Sequence, residues 1–246
     1  VLDNLKLKGD RKMQEFIKFN DVVKRYGKGE SEQIAANHLN FAINEGEFVV
    51  ILGQSGAGKS TVLNMLGGMD TPTEGSIIVD GEDISKMNDK QLSQYRADKV
   101  GFIFQFYNLL PSLTAKENVA LTKNIVKDAA DPVEMLNAVG LEMHADKFPS
   151  QMSGGEQQRV SIARAIAKNP KLILGDEPTG ALDSDTGVMV LELIHKMCKT
   201  RNTTTILVTH NADIALCADK VIRMKNGKIQ EVKVNEKPMA IQEVEW

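Results

Sequence analysis

At 246 residues, with 42% hydrophobic and 26% charged side chains, the chain has the makeup of a globular protein long enough to bury a sizeable core. Its net charge of −3, with 30 Lys and Arg spread among 33 Asp and Glu, leaves no basic stripe for nucleic acid and no polybasic patch for a lipid surface. The longest apolar runs are about five residues, far short of the roughly 20 that span a bilayer, and no signal peptide opens the chain, so it reads as cytosolic.

Residues 1–12 are polar and Met13 has the look of a natural start, so 1–12 is set aside as a leader or tag remnant. Strand patterns follow at Phe16–Phe19, Phe48–Leu52, Ser76–Val79, Val100–Phe104, Leu172–Leu174, Thr204–Val208 and Val221–Met224, with helical patterns between them. That alternation predicts an α/β layered fold with a largely parallel core. Asp80-Gly81 and Asn226-Gly227 read as tight turns, the second a hairpin signal, which adds an antiparallel sheet. Between Gln105 and about Ala163 the strand signal vanishes, and helical patterns such as Thr114–Leu121 and Pro132–Val139 replace it. The expected organisation is a core of 13–105 and 163–232, a helical subdomain at 106–162 inserted into it, and a tail at 233–246 whose Asn235–Trp246 portion is extended. Cys198 and Cys217 lack C-x-x-C spacing and sit in apolar helical patterns, so they are expected to be reduced, partly buried thiols.

Three segments carry chemistry. Gly53-Gln54-Ser55-Gly56-Ala57-Gly58-Lys59-Ser60 matches G-x-x-x-x-G-K-[ST] and lies between a buried strand pattern and the helix-compatible run Ser60–Leu66. Glycines there let backbone N–H groups close on phosphate oxygens, Lys59 supplies a cation, and the Ser60 hydroxyl can ligate Mg²⁺; a side chain at Gly58 is expected to block the phosphate's approach. Leu172-Ile173-Leu174-Gly175-Asp176-Glu177 is a buried strand ending in two carboxylates, Asp176 suited to Mg²⁺ and Glu177 to polarising water. Adjacent side chains on an ideal strand point to opposite faces, so both can serve one site only if the strand ends there, as Pro178 suggests. Ser153-Gly154-Gly155-Glu156 satisfies the capping-box pattern ahead of the helical stretch Val160–Ala167. Two glycines after a cap weaken a helix start unless something must approach its backbone, which makes this a second phosphate-binding element. A head-to-tail dimer, with each nucleotide between the loop of one copy and the Ser-Gly-Gly helix of the other, accounts for both. A soluble P-loop kinase would share the loop and the Mg²⁺ carboxylate but has no use for the second element.

In this order, across residues 16–230, the chain resembles the ATP-binding-cassette (ABC) ATPase subunits. Met152-Ser153-Gly154-Gly155-Glu156-Gln157-Gln158-Arg159-Val160 is similar to the family signature, departing at Met152, usually Leu, and at Glu156, often Gln. The resemblance implies a P-loop NTPase (RecA-like) core with an antiparallel β subdomain and an inserted α-helical subdomain, working on ATP with Mg²⁺. It implies that Tyr26 stacks on adenine, that Gly53 through Ser60 together with Thr61 hold the nucleotide, and that Gln105 joins Ser60 and Asp176 around Mg²⁺. Glu177 and His210 would be catalytic, His210 contacting the γ-phosphate. Ser153, Gly154, Gly155, Glu156 and, in Ala181-Leu182-Asp183, Asp183 would reach the ATP of the opposite subunit.

Gln105–Pro111, Thr114–Val119 and Gly175–Asp183 resemble the branch that powers macrolide exporters, lipoprotein-release complexes and antimicrobial-peptide resistance exporters. The cell-division ATPase that transmits force to an extracytoplasmic hydrolase is a near relative and the alternative. Either reading implies a homodimer in the ATP-bound state at the cytoplasmic face of a bacterial membrane, a permease on a separate polypeptide, room for an extracytoplasmic adaptor, and no nucleic acid. It also implies a permease groove in which Phe106, Tyr107, Leu109 and Leu110 supply apolar surface; the alternative is that these four pack inside the subdomain.

Overall fold

The computed structural model describes residues 15–180 and 182–244; the 1–12 leader, Ala181 and Trp246 lie outside the described residues. The strands are β1 (Glu15–Tyr26), β2 (Gln33–Asn44), β3 (Phe48–Leu52), β4 (Glu74–Val79), β5 (Glu82–Asp83), β6 (Val100–Ile103), β7 (Leu172–Asp176), β8 (Thr204–Thr209), β9 (Lys220–Lys225) and β10 (Lys228–Val234). The α-helices are α1 (Lys59–Leu66), α2 (Asp89–Asp98), α3 (Ala115–Ala120), α4 (Pro132–Ala138), α5 (Gly154–Ala167) and α6 (Ser184–Arg201).

Six strands form one sheet in the order β10-β9-β3-β8-β7-β6, parallel except where β10 returns against β9. β3 shows why this sheet is a core element. Phe48, Val50 and Leu52 enter one buried cluster while Val49 and Ile51 enter the other, so both faces of the strand are covered and the sequence runs unbroken in apolar residues. The second sheet, β2-β1-β4-β5, is antiparallel throughout. Its tight turn at Asp80-Gly81 and the one at Asn226-Gly227 both have positive φ at the two central residues, the type I′ geometry whose twist matches the strands.

Between β6 and β7 there is no strand among the described residues, and α3, α4 and α5 pack together on Val119, Leu136, Val160 and neighbouring side chains. α5 (Gly154–Ala167) runs through the boundary expected between 162 and 163. The expected extended tail is also corrected. A single 3-10 turn at Ile241–Glu243 buries Ile241 and Val244 in the same cluster as α6, and Gln242 bonds Glu192 of that helix. Cys198 and Cys217 are buried free thiols, and burial pushes them up to about 12 and about 11 respectively, so neither is a ready nucleophile.

Candidate active site

The carboxyl ends of β3, β7 and β8 open on one cavity of about 940 Å³, walled among others by Lys59, Ser60, Gln105, Asp176, Glu177 and His210. Parallel sheets gather ligands at that edge because successive loops leave the strands there. The rest of the loop from Gln54 to Gly58, with Thr61, lines the same cavity.

Local structure explains how the loop is shaped. α1 is entered from Gly58 at φ 97, and no side chain caps it. Each of α2, α3, α4, α5 and α6 is instead capped by its own Asn, Thr, Asp or Ser side chain. The first-turn amides of α1, left without such a partner, face outward as donors for an anion. Lys59 is only 8% exposed, and its ammonium donates to the Gly53 carbonyl at 2.8 Å and the Gln54 carbonyl at 3.2 Å. Gly58 is required for a reason that the sequence does not show. A Cβ there would stand 2.3 Å from the Ala35 carbonyl of β2, so the protein's own strand forbids a side chain before any phosphate does.

Asp176 ends β7, and burial raises its carboxyl above the usual carboxylate range, with the Ser60 hydroxyl and Lys59 opposing and the Glu177 charge adding to the rise. Glu177 then leaves the strand at φ 47, the left-handed region, which is how two successive carboxylates come to line one cavity. Its N–H donates to the Val208 carbonyl at 3.0 Å, Oε2 accepts from the Thr209 hydroxyl at 2.9 Å, and Oε1 lies 2.9 Å from His210 Nδ1. The donors around the cavity are hard oxygens, a hydroxyl at Ser60 and a carboxylate at Asp176, which suit Mg²⁺. Among the described residues no cluster of three or more His, Cys, Asp or Glu could hold a metal alone. A hydroxyl and one carboxylate fit Mg²⁺ that arrives with phosphate ligands of its own.

Not every expected residue reaches this cavity. Gly53 lies beneath it, where a Cβ would strike the Met224 carbonyl at 2.6 Å. Tyr26 is 41% exposed and outside the cavity wall, its hydroxyl donating to Asp70 Oδ2 at 2.6 Å and its ring 5.0 Å from the Lys24 ammonium. Ser153, Gly154, Gly155, Glu156 and Asp183 are also absent from the wall. Ser153 accepts from the Glu156 N–H while Glu156 accepts from the Ser153 N–H at 2.6 Å, and that second bond, with the other charges near it, holds the Glu156 carboxyl below its ordinary range. His144 Nε2 approaches the same carboxylate at 3.2 Å. Within the subunit a Cβ at Gly154 would stand 2.6 Å from the Tyr107 hydroxyl, so that side chain would have to shift. Of the four apolar residues after Gln105, Phe106 and Leu110 are exposed at 78% and 47%, while Tyr107 is half-buried and Leu109 packs on the core.

Three contributors went unread in the sequence. Ala35 walls the cavity but carries no chemical signal. Thr209 looked like one more β-branched strand residue. Gln158 is 1% exposed inside α5, where its amide donates to the Pro178 carbonyl at 3.1 Å and the Phe104 carbonyl at 3.4 Å.

A family model described as ABC transporter matches residues 36–180. The chain belongs to the ABC transporter family. The chain is 42% identical over 236 residues to an ABC transporter ATP-binding protein of Mycoplasma pneumoniae, covering 95% of this chain and 51% of that protein. It therefore spans about half the length of that relative. It is 43% identical over 226 residues to an ABC transporter ATP-binding protein of Thermotoga maritima, covering 90% of this chain and 96% of the other. Among solved structures it resembles the dimeric post-hydrolysis state of the ATP-binding cassette MJ0796, from Methanocaldococcus jannaschii, bound to ADP and Pi. That match has a TM-score of 0.85 at 41% identity and covers 89% of this chain and 98% of that one. The P-loop core, the antiparallel sheet and the helical insertion expected from sequence are those of this cassette.

Proposed function

We propose that this cassette binds Mg-ATP in the cavity and hydrolyses it as a head-to-tail dimer that drives a separate membrane permease. The observation that carries the reading is the convergence, on one cavity, of an uncapped helix start, a lysine, a hydroxyl with a carboxylate, and a second carboxylate held by its neighbours. The α1 amides and Lys59 bind the phosphates, Lys59 exchanging its bonds to Gly53 and Gln54 for phosphate oxygens. Ser60 and Asp176, with Gln105 beside them, would hold Mg²⁺, which neutralises charge developing on the phosphoryl oxygens. Glu177 accepts the proton of the attacking water. His210, whose side chain is 75% exposed, stands beside it to meet the γ-phosphate.

Ser153 through Glu156 and Asp183 are not part of the cavity wall of their own subunit, and in this reading a second copy completes each site with them. That arrangement is supported by the dimeric state of the MJ0796 cassette. Tyr26, at the side of Thr61, supplies an aromatic face for the base. Phe106 and Leu110 offer the permease an apolar surface. Among the described residues no helix is long and apolar enough to cross a membrane. In this reading the cassette works at the membrane's cytoplasmic face through that separate permease. The resemblance of Gln105–Pro111, Thr114–Val119 and Gly175–Asp183 to the exporter branch favours export over the cell-division alternative.

The test is Glu177→Gln. Hydrolysis should slow by on the order of 10²–10⁴-fold, the usual worth of a positioned general base, while Mg-ATP binding persists. With ATP trapped between subunits, the variant should move from monomer to dimer on a sizing column when Mg-ATP is added. Hydrolysis at the wild-type rate would remove Glu177 from the role.

A further inference from the structure

Glu177 is held by two side chains of unlike character. His210 is mostly in solvent, whereas Thr209 is 2% exposed at the end of β8. The Thr209 hydroxyl has one proton and two lone pairs, and the Asn211 N–H donates to it at 3.0 Å. That bond claims a lone pair and leaves the proton free to lie toward Glu177 Oε2, 2.9 Å away. The orientation matters because Glu177 sits at φ 47, where a side-chain-bearing residue persists only when its surroundings over-determine it. Two of those determinants come from consecutive residues of one strand, the Val208 carbonyl that accepts the Glu177 N–H at 3.0 Å and the Thr209 hydroxyl.

We propose that Thr209 is the positioning residue for hydrolysis, fixing Oε2 of Glu177 so that Oε1 is aimed at the attacking water while His210 meets the nucleotide. This rests on the reading of Glu177 as general base. His210 bonds Oε1 through Nδ1, which leaves Nε2 for the γ-phosphate, and with its side chain 75% exposed it restrains Glu177 less firmly than the buried Thr209 hydroxyl does. Without that hydroxyl the carboxylate would be held by the exposed imidazole alone, and a misplacement of about 1 Å can lower a rate by roughly 10²-fold. Threonine at this point serves the strand through its branched Cβ and the site through its hydroxyl.

The experiment compares wild type, Thr209→Val, Thr209→Ser, Glu177→Gln and the double variant Glu177→Gln/Thr209→Val, by single-turnover hydrolysis and Mg-ATP titration. Thr209→Val keeps the side chain's shape and removes the hydroxyl. It should lower kcat by roughly ten- to a hundredfold with Mg-ATP affinity within about twofold of wild type, since the lost bond orients the base and binds no phosphate. Thr209→Ser, which restores the hydroxyl, should recover the rate to within about threefold. In the Glu177→Gln background the valine should cost nothing further, because no base is left to orient; a merely structural role would multiply the two losses. Wild-type turnover in Thr209→Val, a serine variant as slow as the valine one, or multiplicative losses in the double variant would each overturn the proposal. If the valine variant does not fold, Thr209→Ala removes the same hydroxyl with less bulk and carries the same expectations. Glu177→Gln hydrolysing at the wild-type rate would instead bring down the general-base reading on which the proposal stands.

Discussion

Helices α1 and α5 are both entered through glycine, yet their first turns are satisfied in opposite ways. α1 follows Gly58 in the left-handed region, has no side-chain cap, and keeps Lys59 largely buried beside its open amides. α5 follows Ser153, closes a complete capping box with Glu156, and leaves Ser153 exposed. The first has no side-chain cap for its donors, which the proposed function gives to an anion. The second has already used its cap, so what it offers outward is a hydroxyl and the backbone of two glycines. In the proposed dimer the first end would receive the phosphates from within its own subunit, and the second would reach across to complete a neighbour's site.

The comparison breaks most readily at Lys59. Lys59→Ala removes the cation at α1 and should weaken Mg-ATP binding by about ten- to a hundredfold, the scale of a charge-assisted bond of roughly 1.5–3 kcal/mol. Calorimetric titration reads this directly, and unchanged affinity would mean that the amides alone supply the anion site. At α5 the losses should fall elsewhere. Ser153→Ala removes the cap and should lower stability by about 1 kcal/mol in chemical denaturation, with Mg-ATP affinity of the monomer intact. A Ser153→Ala monomer that binds ATP several-fold more weakly would place the second element in the same subunit's site and end the contrast.

The smallest effect sharpens the far end of α5. Lys168 caps it, with Nζ donating to the Arg96 carbonyl at 2.6 Å, and burial lowers its ammonium to about 8 from 10.5. A lowered folded-state value means that between pH 8 and 10.5 the unfolded chain holds the extra proton. Wild-type stability should therefore rise across that window relative to Lys168→Met, by on the order of 1 kcal/mol. Denaturation midpoints taken below pH 8 and near pH 10.5 make the comparison; an equal offset at both would show that the charged form bears no burial penalty.

Elements whose pattern was set by burial on both faces were the legible ones. β3 was read at its full extent, Phe48–Leu52, and the helix after the loop to within one residue at its start. β2 was missed although it is 12 residues long. His38 at φ 52 and several register shifts against β1 interrupt its alternation, and Asn37 and Asn40 disguise it as a loop. β1 was cut to its first third for the same reason, Asp21 standing at φ 49. α2 buries only Leu92 and Tyr95, too few to draw an apolar stripe. The loop and the carboxylate pair announced themselves because their chemistry restricts residue choice. Thr209 and Gln158 did not, since each acts through a neighbour that only the fold brings near.

The Gln158 amide spans two loops at once. Phe104 lies just before Gln105, and Pro178 just after Glu177, so one side chain of α5 grips the backbone on either side of the cavity's floor. A buried amide donor left unpaired costs about 1–3 kcal/mol, so the grip is not released lightly. A rotation of the helical subdomain that carries α5 must therefore draw the two loops with it. The same linkage would run backward: loops closing on a ligand would pull on the helix that presents Ser153, through this amide and through the Arg164 guanidinium that donates to the Tyr107 and Asn108 carbonyls.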